Sequence, residues 1–255
     1  MVNLNHFLEL QVDEKGVVWV MIHSGSRNMG KKIGDYFDSM ASALNRKYYS
    51  SVPEQIPFLP ANDEEGKEYL AWMDFALQFA FLNRQVMMDE VKKDLEHEFP
   101  NVKFETMVNI HHNYASLENH KGRNYWVHRK GATLASKKTT GIIPGSMGTH
   151  SYIVKGLGNE KSLNSCSHGA GRKMGRMEFN RQNNTEEGMD AIKESLKGVV
   201  HSKFQKQKSR KGKETGMMDV SEAPGAYKDV ETVMANQIDL VQPVVTLTPI
   251  MCMKG

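Results

Sequence analysis

A chain of 255 residues with 39% hydrophobic and 25% charged side chains has enough apolar material for a substantial core, which excludes a disordered or fibrous protein. A formal net charge of +3 permits a polyanionic partner without demanding one. Two cysteines and no Cys-x-x-Cys pair exclude a disulfide framework. No apolar run approaches the roughly 18 residues of a membrane span, so a soluble cytoplasmic protein with no membrane partner is expected.

In chain order, alternation over residues 8–12 predicts a strand. The β-branched run 17–22 predicts a buried one, ending in the polar loop His23-Ser24-Gly25-Ser26-Arg27. A helix is predicted over 29–47, and Pro53, Pro57 and Pro60 make 50–62 an irregular connection. The longest helical signal, 64–98, carries Tyr69, Trp72, Met73, Ala76, Phe79, Ala80, Asn83, Val86 and Met87 at three- and four-residue steps. This reads as a core stripe with no catalytic role, closed by Pro100. Short strands are predicted over 104–110, before His111-His112-Asn113, and over 125–128, before Arg129-Lys130-Gly131-Ala132. Residues 141–148 form a glycine-rich turn, and 151–154 resumes a strand.

Helices over 185–197, with Thr185 as N-cap, and over 226–239 precede a final strand over 244–252. Residues 203–213 hold six basic residues and no acid. They read as a solvated, mobile loop, with a phosphate-contacting arm as the functional alternative. No internal repeat and no linker marks two independent domains. Strands that end in polar loops, together with clustered helices, predict an α+β fold: a mixed β-sheet core flanked by helices, with the site at strand ends.

The chemistry-bearing residues are mostly histidines and glycines. Asn5-His6, His23-Ser24-Gly25 and His112-Asn113 place neutral imidazoles, which suit zinc, manganese, iron or nickel, in short polar settings. Ordinary hydrogen bonding is the alternative for each. Glu9 and Asp35 are candidate ligands or bases, against an exposed strand position and a solvated helix position respectively. His97, His120 and His201 read as surface residues, while His128 and His150 stay open. Gly145 to Gly148 and Gly169 to Gly171 are candidate phosphate loops, although no Walker A pattern is present. The most suggestive stretch runs from Ser165 to Arg176. If a helix begins near His168, then His168, Arg172 and Arg176 share one face beside an anion-attracting N-terminus. An imidazole there could act as a nucleophile toward phosphorus.

Together these segments resemble the RtcB-type RNA ligases. The resemblance rests on Asn5-His6-Phe7-Leu8-Glu9, His23 to Arg27, His111-His112-Asn113-Tyr114, Arg129 to Ala132, Pro144 to Gly148, Ser165 to Arg172, Ala226-Tyr227-Lys228-Asp229 and Lys254-Gly255, in that order. It implies an RtcB-like fold and a ligase joining RNA 2′,3′-cyclic phosphate or 3′-phosphate ends to 5′-hydroxyl ends. His168 would be the nucleophile, forming a histidine–GMP intermediate from GTP. His6, His23 and His112 would bind metal, with two Mn²⁺ ions in the intact family site. Asn5, His6, Phe7, Leu8, Glu9, His112, Asn113, Pro144, Gly145, Ser146, Met147, Ser151, His168, Gly169, Ala170, Gly171 and Lys254 match guanine-nucleotide contacts, with Tyr227 as a further one. Arg27 and Arg172 look placed to receive RNA phosphate.

The family's Asp-x-x-Cys metal segment is not in this sequence. The chain is therefore expected to be the C-terminal two-thirds of a single ligase domain, with the N-terminal portion missing and the two-ion site weakened. Partners implied are RNA, an archease-type activator and a separate N-terminal fragment, in tRNA splicing or RNA repair. The alternatives are an inactive RNA- or nucleotide-binding remnant, half of a split ligase, or a histidine-metal hydrolase.

Overall fold

The computed structural model describes residues 6–53, 56–105, 107–208 and 213–254. It divides into two compact units, one formed by residues 1–23 and 106–255 and the other by the intervening 24–105. Helices and an antiparallel sheet coexist without βαβ alternation, giving an α+β fold.

In the first unit, β1 (Phe7–Asp13) and β2 (Val18–His23) form a hairpin. The unit continues with β3 (Asn113–His120), β4 (Arg123–Lys130), β5 (Ala132–Leu134), β6 (Thr140–Ile143), β7 (Ser151–Gly156) and β8 (Ser165–Ser167). Then follow α3 (Arg176–Asn183) and α4 (Glu186–Ser195), preceded in the chain by α1 (Arg27–Lys47) and α2 (Glu64–Glu98) of the other unit. The short strands β9 (Val200–His201), β10 (Lys206–Lys208) and β11 (Glu214–Met218) lead to α5 (Val230–Ala235) and β12 (Val241–Lys254).

The main sheet runs β2-β1-β12-β7-β6, with β9 added in parallel to β12. The 14-residue β12 is the spine: its first half pairs with β7 and its second with β1. Pairing shifts between Pro243 and Val245, and again where Gln11 meets Pro249 and Leu10 meets Met251. Proline cannot donate to a ladder, so bulges form beside each. The second bulge changes the phase of β12, so that Leu247, Pro249 and Cys252 are all buried and Cys252 lies opposite Glu9.

One core cluster joins Met147, Phe179, Ile192, Leu196, Val220, Ala223, Ala226 and Cys252; another joins Ala135, Ile143, Val154, Cys166, Met234 and Val241. The segment 167–178 leaves the second core at Cys166 and enters the first at Phe179, so both of its ends are anchored.

Several expectations are corrected here. No helix starts at His168. Gly171 adopts φ 72°, Ala170 N–H donates to Pro144 O (3.2 Å), and α3 starts only after Gly175. Residues 104–110 hold no strand among those described; the strands are instead the β3–β4 hairpin. Its two-residue turn places Lys121 and Gly122 at φ 55° and 79°, the type I′ conformation that matches strand twist. The expected 226–239 helix is only α5, capped by the Asp229 side chain accepting from Thr232 N–H (2.9 Å), because Pro224–Ala226 forms a separate 3₁₀ turn. In the 203–213 run, Lys206–Lys208 pairs with β11 instead of forming a loop; residues 209–212 lie outside those described. Thr185 caps α4 as predicted, its Oγ1 accepting from Gly188 N–H (3.1 Å).

In the second unit, α1 (Arg27–Lys47) and α2 (Glu64–Glu98) follow the periodicity of the sequence. The connection between them is pinned by the Asn45 side chain, which both donates to Phe58 O (2.8 Å) and accepts from Phe58 N–H (2.9 Å). The expected core stripe on α2 holds only in part. Tyr69 packs on Phe37 and Ala80 is buried, whereas Trp72, Phe79 and Val86 are exposed. Among the described residues no helix is long and apolar enough to cross a membrane.

Candidate active site

The site is assembled at strand ends of the first unit. The register of β1 sets Phe7 opposite His23 on one side and Lys254 on the other. The Phe7 ring lies 5.2 Å from the His23 ring, and Lys254 Nζ sits 4.6 Å from the Phe7 centroid, a cation–π distance. His112, just before β3, makes an edge contact with His23 (4.9 Å) and stacks on His168 (4.9 Å, 12° between planes). Three histidines separated by long stretches of sequence thus form one row. Burial first, then the neighbouring His112, His168, His6 and Lys254, holds His23 down at about 3. His23 is therefore neutral at pH 7, the form that donates to metals.

His168 is fixed from the strand side. Gly131 stands at φ 68°, and a Cβ there would lie 3.1 Å from His168 Cε1 and 3.3 Å from Nδ1, against 3.8 Å from Nε2. Glycine is what lets the imidazole lie on this backbone. A hydrogen bond with the Gly131 backbone favours the protonated ring, yet burial outweighs it and lowers the pKa of His168. Gly131 N–H is itself held by His112 O (2.9 Å) and Asn113 Oδ1 (3.0 Å). The nucleophile candidate, its stacking partner and Asn113 are one connected unit.

Glu9 is almost fully buried, not the exposed strand residue that was its alternative. Gln11 Nε2 donates to Glu9 Oε2 (2.6 Å) and to Ser151 Oγ (2.9 Å), and Gly145 N–H donates to that same Oγ (3.1 Å). Gln11 therefore links Glu9 to Ser151, and that hydroxyl in turn holds Gly145; Gln11 was not among the expected site residues, although the i, i+2 spacing puts it on the face of Glu9. Burial pushes the Glu9 carboxyl up to about 7. A carboxyl raised in this way adds stability in its protonated form, present below the unfolded value of 4.5 and lost as pH rises through about 7. Glu9→Gln is accordingly expected to match the wild type in urea unfolding near pH 4.5 and to exceed it by about 2–3 kcal/mol at pH 8. Equal stabilities at both pH values would refute a buried, neutral Glu9.

Glu222, also missed in the sequence, gathers the basic residues. It accepts from Arg172 Nη1 (3.3 Å), Arg176 Nε (3.0 Å) and the Tyr227 hydroxyl, with Lys254 Nζ at 3.8 Å. Arg172 also donates to Ser221 O (2.6 Å) and Met174 O (3.2 Å), while its Nη2 is buried with no hydrogen-bond partner. Arg172 and Arg176 do converge, through a carboxylate and not through a helical face. Burial and the Glu222 charge raise the Tyr227 phenol well above its ordinary value.

The remaining candidates are placed as follows. His6 lies at the start of β1, close enough to act electrostatically on His23, and Leu8 pairs with Ile22 and Met253. Pro144 O receives Ala170 N–H, and a Cβ on Gly169 would touch it at 3.1 Å. Ser146 and Met147 are buried, Met147 within the core. Arg27 is exposed at the start of α1 in the other unit, with φ 56°, and Asp35 pairs with Lys31 at the surface. Asn5 lies outside the described residues. His120, expected at the surface, is buried against Glu118 (3.0 Å); His128 and His150 are exposed.

The donor set fits a borderline divalent cation in chemistry: imidazoles grouped at strand ends, with His23 neutral at pH 7. Among the described residues no three His, Cys, Asp or Glu side chains already converge on one point. Both thiols are buried: burial raises Cys166, beside Thr133 Oγ1 (3.1 Å), and pushes Cys252 up to about 12.

Residues 4–255 match the family described as tRNA-splicing ligase RtcB. The chain is 38% identical to the RNA-splicing ligase RtcB of Escherichia coli (strain K12), over 98% of this chain and 59% of that protein. It is 32% identical to the RNA-splicing ligase RtcB of Mycobacterium bovis, over 98% and 63%, and 31% identical to the tRNA-splicing ligase RtcB of Pyrobaculum aerophilum, over 98% and 58%. The chain thus spans about six-tenths of the length of these relatives. With the histidine row, the His168 loop and the terminal strand all inside the matched region, this chain belongs to the RtcB ligase family.

Proposed function

We propose that the chain carries the nucleotidyl-transfer centre of an RNA ligase that joins 3′-phosphate or 2′,3′-cyclic phosphate ends to 5′-hydroxyl ends, using GTP. The carrying observation is the setting of His168, stacked on His112, bonded to the Gly131 backbone and kept neutral by burial. Nδ1 is the ring nitrogen nearer the position a Gly131 Cβ would take, and in this reading Nδ1 carries the proton bonded to the Gly131 backbone while the Nε2 lone pair is left for attack. Nε2 attacks the α-phosphorus of GTP, the bond to pyrophosphate breaks, and a histidine–GMP phosphoramidate forms. The RNA 3′-phosphate then takes the guanylate, and the 5′-hydroxyl displaces GMP as the phosphodiester forms. A cyclic phosphate is first opened by water. Covalent transfer supplies a good leaving group in two easier steps.

His6, His23 and His112 would hold Mn²⁺, which when bound neutralises triphosphate charge and polarises phosphoryl oxygens. Glu9 and Lys254, bracketing Phe7, suit the guanine end; the amides of Gly145 and of residues 169–171 suit phosphate oxygens. The unsatisfied Nη2 of Arg172 suits an RNA phosphate, as does the exposed Arg27. An archease-type activator is a partner in this reading, in tRNA splicing or RNA repair.

The test is incubation with α-labelled GTP and Mn²⁺, then denaturing electrophoresis. Acid-labile, alkali-stable label is expected on the wild-type chain and none on His168→Asn. Label retained by that variant would refute the nucleophile assignment. RNA binding with no label would favour a binding remnant.

A further inference from the structure

We propose that a groove beside the His168 loop seats a nucleotide of the RNA strand next to its reacting end, with Lys173 and Lys228 holding backbone phosphate. The inference rests on the RNA-ligase reading above and adds a subsite to it. The groove has a volume of about 490 Å³, in the range that accommodates a small-molecule fragment such as one nucleotide.

Its construction follows from one antiparallel bridge. Arg172 and Tyr227 face each other, with Lys173 N–H donating to Ala226 O (2.9 Å) and Lys228 N–H donating to Gly171 O (2.9 Å). Successive side chains on such a pair alternate between faces. Arg172 and Tyr227 take the inner face, where the guanidinium lies 5.1 Å from the ring centroid and both bond Glu222. Lys173 and Lys228 therefore take the other face, and both line the groove. They are exposed, and among the described residues neither ammonium has a carboxylate within ion-pair distance. Asp229 lines the groove too and interacts electrostatically with Lys173, although its carboxylate is engaged by Thr232 N–H (2.9 Å) and Oγ1 (2.5 Å) as the cap of α5.

Val233 and Leu240 also line the groove, apolar surface suited to a base face or the sugar carbons, as does the Asn236 amide. Gln237 closes the inner end, its Oε1 accepting from Ser167 N–H (3.0 Å). Ser167 also lines the groove and immediately precedes His168. Two lysines without a direct ion pair, apolar surface and an amide, sharing a residue boundary with the nucleophile, match a phosphate–ribose–base unit better than a free anion.

The experiment is fluorescence anisotropy of a labelled single-stranded RNA 12-mer with a 3′-phosphate, titrated at several salt concentrations. Lys173→Ala/Lys228→Ala is compared with Lys193→Ala/Lys197→Ala, an α4 variant that removes equal charge from that helix and the turn after it. The groove variant is expected to bind about tenfold or more weakly than the α4 variant, and its slope of log affinity against log salt is expected to fall by about 1.4, for two single-strand phosphate contacts. Thermal unfolding midpoints of the two variants should agree, which separates lost contact from lost fold. RNA affinity and slope equal to those of the α4 variant overturn the groove and leave the ligase reading standing. Retained RNA affinity with lost guanylate labelling assigns the groove to the triphosphate and also overturns it. No RNA binding by the wild-type chain overturns the RNA reading and the groove together.

Discussion

Arg129→Met is expected to cost about 3–5 kcal/mol of folding stability, the largest loss from any single polar substitution proposed for this chain. The Arg129 side chain is only 1% exposed and every bond it makes crosses between segments. Nη1 donates to Glu118 Oε1 (2.5 Å) and the Tyr114 hydroxyl (3.2 Å), Nη2 to Glu118 Oε2 (3.0 Å) and Leu163 O (3.0 Å), and Nε to Ser165 Oγ (3.0 Å). The guanidinium so favours the charged carboxylate that Glu118 is held down to about 2. Methionine would leave that carboxylate beside a hydrophobic side chain, and Tyr114, Leu163 and Ser165 short of a donor. Urea unfolding at pH 7 measures the loss, and Arg129→Met/Glu118→Gln should recover part of it by removing the stranded charge. A double variant as unstable as the sum of the singles would show that the pair is not coupled. The depressed Glu118 adds stability that is present above its unfolded value of 4.5 and lost as pH falls toward 2. The wild type should thus lose stability over that acid range and Glu118→Gln should lose less.

Gly131→Ala is expected to slow histidine–guanylate formation by about ten- to a hundredfold while leaving a folded protein. Two effects combine. A Cβ at φ 68° places alanine in the left-handed region, at a cost of about 1–2 kcal/mol. The same Cβ, 3.1 Å from His168 Cε1, pushes the ring by a few tenths of an ångström off its stacked position on His112. Displacements of that order at a reacting centre are costly because attack demands aligned, close atoms. Single-turnover labelling with GTP, read beside a urea titration, separates the two effects. A wild-type labelling rate would show that the Gly131 backbone does not position His168.

These two positions illustrate what is legible in an isolated chain. Helix 64–98 was readable because its periodicity persists over many turns, and Thr185 because an N-cap bonds only three residues ahead. The hairpin over 113–130 was not, since its strands are polar and its turn is Lys121-Gly122 instead of Asn-Gly. The start of a helix at His168 was a reasonable expectation from glycines and basic residues, but a single left-handed Gly171 and a bond to Pro144 redirect the chain.

The sequence by itself determined which chemistry is present: the histidine, glycine and lysine motifs, their order, and through them the family. Those properties depend on residue identity and short spacing. Tertiary structure alone decided what they do to one another. His23, His112 and His168 meet because β2, the start of β3 and the end of β8 finish near one another, although 88 and 55 residues intervene between them in the chain. The Glu9 carboxyl is pushed up to about 7 only because β1 buries it, against the lowering effect of the Cys252 contact, and Glu222 acquires its cations from residues 32 to 50 positions away. Burial and long-range register set these properties, and neither is a function of local sequence.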